Sequence, residues 1–232
     1  MAIFSLKHHK PEPPHGAPRG VSWNYDRAEL WADGVVHIVG VSCGLVAAVV
    51  LIVLASLYLT AGQVAAIAVY SCGLLAMLGI SATYNLLPVS RVKWWLRRLD
   101  HSAIYLLIAA TYTPFIVQMK ASLFTIGLLT GVWVVAIAGI AIKILLPGRL
   151  DRLSIVLYLA MGWSGVMIYD TMVSSLSAPT LTLIAAGGLM YSCGVVFHVW
   201  QRLRFQNAIW HSFVLMGAAC HYSAVLDLVL LA

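Results

Sequence analysis

The chain has 232 residues, of which 62% are hydrophobic and 9% charged, with a mean hydropathy of +0.93. That balance lies far outside the range of soluble domains, so the composition identifies an integral membrane protein. Its 14 Lys and Arg exceed its 8 Asp and Glu, giving a net charge of +6, and topology plus attraction to anionic lipid account for that excess without any nucleic acid.

Residues 1–21, which open "MAIFSLKHHKPEPPHGAPRG", hold no apolar core of the length a secretory signal needs, and their Pro, Gly and His content predicts a disordered cytoplasmic tail. Residues 22–35 mix Trp23 and Trp31 with Asp26, Arg27, Glu29 and Asp33, which predicts an interfacial helix leading into the first span. A helix needs roughly 20 apolar residues to cross a bilayer. The remainder, 36–232, divides into seven such runs, at 36–60, 63–87, 101–119, 122–145, 154–172, 180–200 and 206–231. The expected fold is therefore an all-α bundle of seven transmembrane helices, with no second soluble domain. Cys43, Cys72, Cys193 and Cys220 fall inside these runs without CxxC spacing and read as small core residues. Gly187 and Gly188 mark a close approach of helices.

Basic residues set the orientation. Lys7, Lys10, Arg19 and Arg27 precede the first span; Arg91, Lys93, Arg97 and Arg98 lie between the second and third. Lys143, Arg149 and Arg152 flank the fourth connection and Arg202 and Arg204 the sixth, which leaves Lys120 alone on the other side. The positive-inside rule then predicts a multi-pass protein of the cytoplasmic membrane with its N-terminus in the cytoplasm and its C-terminus outside.

With that topology, polar residues from four spans share one depth near the cytoplasmic face. They are Ser81 and Asn85 in the second, Asp100 and His101 in the third, His198 in the sixth, and Asn207 and His211 in the seventh. Residues four apart share a helix face, which pairs Ser81 with Asn85 and Asn207 with His211. Lipid exposure of such groups is costly, so a cytoplasm-facing polar pocket is the expected arrangement. His101 and His198, beside basic loops, read instead as helix-end groups within reach of water. Ser81 and His211, about a turn further in, read as pocket residues; for Asp100 the two readings stand level. His37 and His221 lie deeper, and His221 reads as a satisfied core residue.

The stretches "SATYN", "LRRLDHSAIYLLIAATYTPF", "LYLAMGW" and "NAIWHSFVLMGAACHYSAV" resemble the bacterial hemolysin III family, which belongs with the progestin and adipoQ receptors and, more distantly, the alkaline ceramidases. In that wider family a Ser-x-x-x-His motif near the end of the second span and a His-x-x-x-His motif in the last span hold zinc near the cytoplasmic face, with an Asp from the start of the third span beside it. The resemblance implies that Ser81 and Asp100 are the serine and aspartate of a catalytic or zinc-binding pocket, and that His211 is a metal ligand. It thereby moves Asp100 into the pocket. Asn85 and Asn207 stand where the other two ligand histidines belong. An Asn amide is a poor match for zinc, which usually takes three or more protein ligands from His, Cys and carboxylate. No cofactor is therefore expected: zinc would need His101 or His198 to turn inward. The two Asn can instead donate and accept, either pairing with each other across the helices or holding a water network with Ser81, Asp100 and His211.

Three function classes follow. A zinc-dependent lipid amidase or hydrolase would use Asp100 as base, and the missing ligands weigh against it. A pore-forming hemolysin fits poorly with seven spans and a polar pocket. The favoured reading is a non-enzymatic membrane protein of the hemolysin III type with a degenerate zinc site, acting on membrane lipid in lipid homeostasis.

Overall fold

The computed structural model describes residues 25–146, 148 and 150–232, so the tail expected over 1–21 lies outside the described residues. Eight α-helices carry the fold: α1 Arg27–Tyr58, α2 Ala61–Leu86, α3 Arg91–Gln118, α4 Leu123–Leu145, α5 Asp151–Trp163, α6 Tyr169–Ser175, α7 Ala178–Val199 and α8 Gln206–Leu230. A 3-10 turn, Ser164–Ile168, joins α5 to α6, and no strand occurs among the described residues.

Helix starts follow local chemistry. Ser90, Ser122 and Ser177 accept the backbone N–H three residues on, and Thr60 receives a reciprocal cap from Gln63. At the N-terminus Asp26 and Glu29 form a full capping box, and nothing interrupts the helix from Arg27 to Tyr58. The segment expected over 22–35 as a separate interfacial helix therefore runs straight into the first span from Arg27 on; residues 22–24 lie outside the described residues.

Among the described residues, six helical segments are long and apolar enough to cross a membrane: α1, α2, α4, the unit Asp151–Ser175, α7 and α8. The sequence reading expected seven. The difference is α3, whose 28 residues carry Arg91, Lys93, Arg97, Arg98 and Asp100 in the first half and so leave a shorter apolar stretch. It nevertheless packs along both α2 and α4. Around the bundle the neighbours run α4, α3, α2, α1, α8, α7, and α5 closes the circuit by touching α3, α4 and α7.

One core cluster includes Leu51, Ile67, Tyr70, Leu107 and Val225; a second holds Tyr105, Ala109, Val132, Ala136 and Met161. In lipid, helix association depends on close packing rather than on excluding water, so small residues sit at the contacts. Gly139 lets the Tyr105 ring lie against α4, and Gly187 leaves room for the His221 ring, which an added Cβ would approach to 2.4 Å. His221 donates from Nε2 to the Ile184 carbonyl at 3.2 Å. All four cysteines are free, and they depart from expectation in their position: Cys43, Cys72 and Cys193 lie on the outer surface of the helices, not in the core.

Gly187→Ala should lower the Tm of detergent-purified protein by several degrees, because overpacking a tight contact costs about 1–3 kcal/mol. Gly127, with nothing within 4 Å of an added Cβ, is the control: Gly127→Ala should leave the Tm level or raise it slightly. Equal losses in both variants would show that the α7–α8 contact is looser than described.

Candidate functional site

The basic helix ends gather at one end of the bundle. Arg204 pairs with Asp26 at 3.1 Å, and Arg97 and Lys143 pair with Asp151 at 3.0 and 2.6 Å. The Glu29 N–H and the Arg204 guanidinium hold the exposed Asp26 carboxyl below the usual carboxylate range. Glu29 serves two helix starts at once. Its Oε2 accepts from the Asp26 N–H at 2.9 Å, and its Oε1 accepts from the Phe205 N–H at 3.1 Å, at the left-handed residue (φ 60°) that begins α8. α1 and α8 are thereby pinned side by side.

One turn further along α1 is Asp33, and one turn beyond that His37. Both are 6% exposed. Asp33 Oδ1 accepts from His211 Nδ1 at 2.6 Å, and Asp33 Oδ2 lies 3.7 Å from His37 Nε2. The two imidazole rings are 4.4 Å apart between centroids and tilted by 55°. His37 Nε2 has no hydrogen-bond partner among the described residues.

The residues singled out from the sequence divide around Asp33. Ser81 and His211 line a cavity of about 20 Å³ together with His37. Asn85 and Asn207 line a second, of about 10 Å³, with Tyr25, Glu29, Asp33 and Lys93. Asn85 turns its amide back along its own helix, to the Ser81 carbonyl at 2.9 Å and the Ser81 hydroxyl at 3.4 Å. Asn207 meets the Tyr25 phenol, which burial pushes above its ordinary pKa. No hydrogen bond joins Asn85 to Asn207 among the described residues, so the pairing considered from sequence is replaced by two separate partners. Asp100 lines neither cavity; it lies 3.4 Å from His101 Nδ1 and interacts with Ser81 and His211.

Three further placements depart from the sequence reading. His101 and His198 turn inward rather than to water: the Nδ1 atom of each is buried, His198 packs tilted against Trp210 at 4.8 Å, and both interact with Asp100 or its neighbours. Lys93 is buried, and its ammonium donates to the Asn85 and Leu87 carbonyls at 3.2 and 2.7 Å, closing the C-terminal end of α2. Asp33 and His37, absent from the expected site, supply two of the groups nearest His211. Their spacing of four residues was the available signal.

Comparison with known proteins agrees with this architecture. A family model described as Haemolysin-III related matches residues 28–222. The chain belongs to the haemolysin-III-related family. It is 36% identical to the Hemolysin-3 homolog of Bacillus subtilis over 84% of this chain and 92% of that one, and 36% identical to Hemolysin-3 of Bacillus cereus over 86% and 91%. The human Monocyte to macrophage differentiation factor is 30% identical over 68% of this chain and 67% of its own. No solved structure gives a significant match. At Asn85 the amide is already committed to Ser81.

The Asp33–His211 contact should show strong coupling. In chelator-containing buffer, Asp33→Asn and His211→Gln should each lower the Tm, and the double variant should lose less than the sum, a coupling of about 0.5–3 kcal/mol. Additive losses would mean that the two side chains do not interact in the folded protein.

Proposed function

We propose that the protein is a seven-span resident of the cytoplasmic membrane that senses or adjusts lipid state through a polar pocket at its basic end. In this reading α3 is the seventh span, residues 1–21 form a cytoplasmic tail, the N-terminus is cytoplasmic and the C-terminus lies outside. Ser81, Asn85, Asn207 and His211 line the pocket, Asp100 supports it from behind through Ser81 and His211, and Asn85 and Asn207 mark a rebuilt zinc motif.

The observation that carries the reading is the convergence of α1, α2, α3 and α8 polar groups on two small adjoining cavities separated by Asp33. Ionisable groups at such depth are costly unless they face a bundle interior, and a site there meets lipid headgroups before it meets anything else. Its ring of Arg and Lys favours anionic lipid. A second reading, a lipid hydrolase, draws on the Ser81 hydroxyl sharing a cavity with His37 and His211 while Asp100 lies beside them. Relatives named Hemolysin-3 keep a pore as the third.

Proteoliposomes separate these readings. A photoactivatable anionic phospholipid should label peptides from the basic ends of α1, α2 and α8, and Asn207→Leu should reduce that labelling. No ceramide or phospholipid should be turned over and no trapped dye released. Label confined to the outer helix faces would contradict the pocket, turnover would favour the hydrolase, and dye release the pore. Reporter fusions at the two ends should report opposite compartments; two cytoplasmic reports would reject seven spans.

A further inference from the structure

The geometry points to a metal site at Asp33, His37 and His211 that takes two ligands from α1 and so differs from the set implied by the family resemblance. It is independent of the lipid reading, since a metal ion here would be compatible with either a sensor or a hydrolase.

Three observations and the donor preference of zinc support it. The three residues each offer a ligand atom, and these atoms lie within 4.8 Å of one another. Two imidazoles and a carboxylate form a donor set that zinc commonly takes, with the fourth position open. Tetrahedral coordination at bond lengths of about 2.0–2.1 Å sets ligand atoms about 3.3 Å apart. Asp33 Oδ2 and His37 Nε2, at 3.7 Å, are already near that spacing, and the 2.6 Å hydrogen bond from His211 Nδ1 would open slightly as the cation replaces its proton. His37 Nε2, on a side chain 6% exposed, has no hydrogen-bond partner among the described residues, and a buried imidazole nitrogen without one calls for a ligand.

The cavity beside it fits the same account. Its volume of about 20 Å³ holds roughly one small occupant, and Ser81 shares its lining with His37 and His211. Charge also closes: a divalent cation is met by the Asp33 carboxylate and, through His211, by the field of Asp100. Lys93 also interacts with Asp33, but its ammonium is directed to the Asn85 and Leu87 carbonyls. The neutral Asn85 and Asn207 are then no loss, because the positions they occupy are replaced by the α1 pair. Burial of an acid and a histidine one turn apart on a transmembrane helix is otherwise costly.

Elemental analysis of the full-length protein, purified in detergent with zinc and then dialysed, tests the site. Wild type should retain about one zinc per chain. Asp33→Asn and His37→Gln should each weaken zinc binding by more than about a hundredfold, beyond the roughly 10–100-fold that loss of an outer-shell partner typically costs, while Asn85→Ala and Asn207→Ala should retain it. Because a ligand variant can fail by misfolding, wild type is also loaded with cobalt. A tetrahedral visible spectrum that zinc abolishes supports the site, and its Tm should rise with zinc. Zinc-free wild type after loading, zinc retained by both α1 variants, or zinc lost on Asn85→Ala or Asn207→Ala would each overturn the proposal.

Discussion

The arrangement at the basic end depends on a single buried carboxylate. Asp33 lies buried in the seam between α1 and α8, and it is held between two imidazoles at 2.6 and 3.7 Å. A buried carboxylate without such partners would cost several kcal/mol, so His211 must lie opposite it and α8 must keep its register on α1. The pins around it serve that register. Glu29 reaches from the first turn of α1 to the Phe205 N–H, and Asp26 reaches Arg204, so the start of α8 is fixed two turns before His211 is needed. Because α1 and α8 are the first and last helices of the fold, the same few residues join its two ends.

Away from this end, packing takes over from polar pairing. Tyr105 lies on Gly139 and His221 on Gly187, so bulky side chains are accepted by bare backbone on the neighbouring helix. At the opposite end Asp227 accepts from the Ser177 and Thr180 hydroxyls at 2.6 and 2.5 Å and so supports the start of α7. The chemistry-bearing groups are therefore concentrated where the basic residues are. Lys93 shows why: a cation buried at the α2 terminus satisfies carbonyls that the helix leaves open, and it does so beside the cavity that Asn85 and Asn207 line.

Much of this was legible in the sequence, and what was missed has identifiable causes. Composition and the lengths of the apolar runs predicted an all-helical membrane protein, and the fourfold spacing correctly paired Ser81 with Asn85 on one face. The same spacing links Asp33 to His37, yet a boundary drawn at residue 35 divided them between an interfacial helix and a span. Only the continuous α1 shows them one above the other. His101 and His198 were judged by closeness to basic loops, a one-dimensional measure; which way a ring turns is decided by neighbours such as Trp210 and Asp100, which are distant or ambiguous in sequence. The cysteines were placed in the core by average preference, whereas in a membrane bundle the outer face is also apolar and accommodates them equally well.

A zinc ion shared by Asp33, His37 and His211, with the Asn pair around it, is open to direct observation. Crystals grown in a lipidic phase and loaded with zinc test it most directly, through an anomalous difference map collected at the zinc absorption edge. The account predicts a peak between the Asp33 carboxylate and the two imidazoles. A map with no peak there, or with its peak against Asn85 and Asn207, would contradict it.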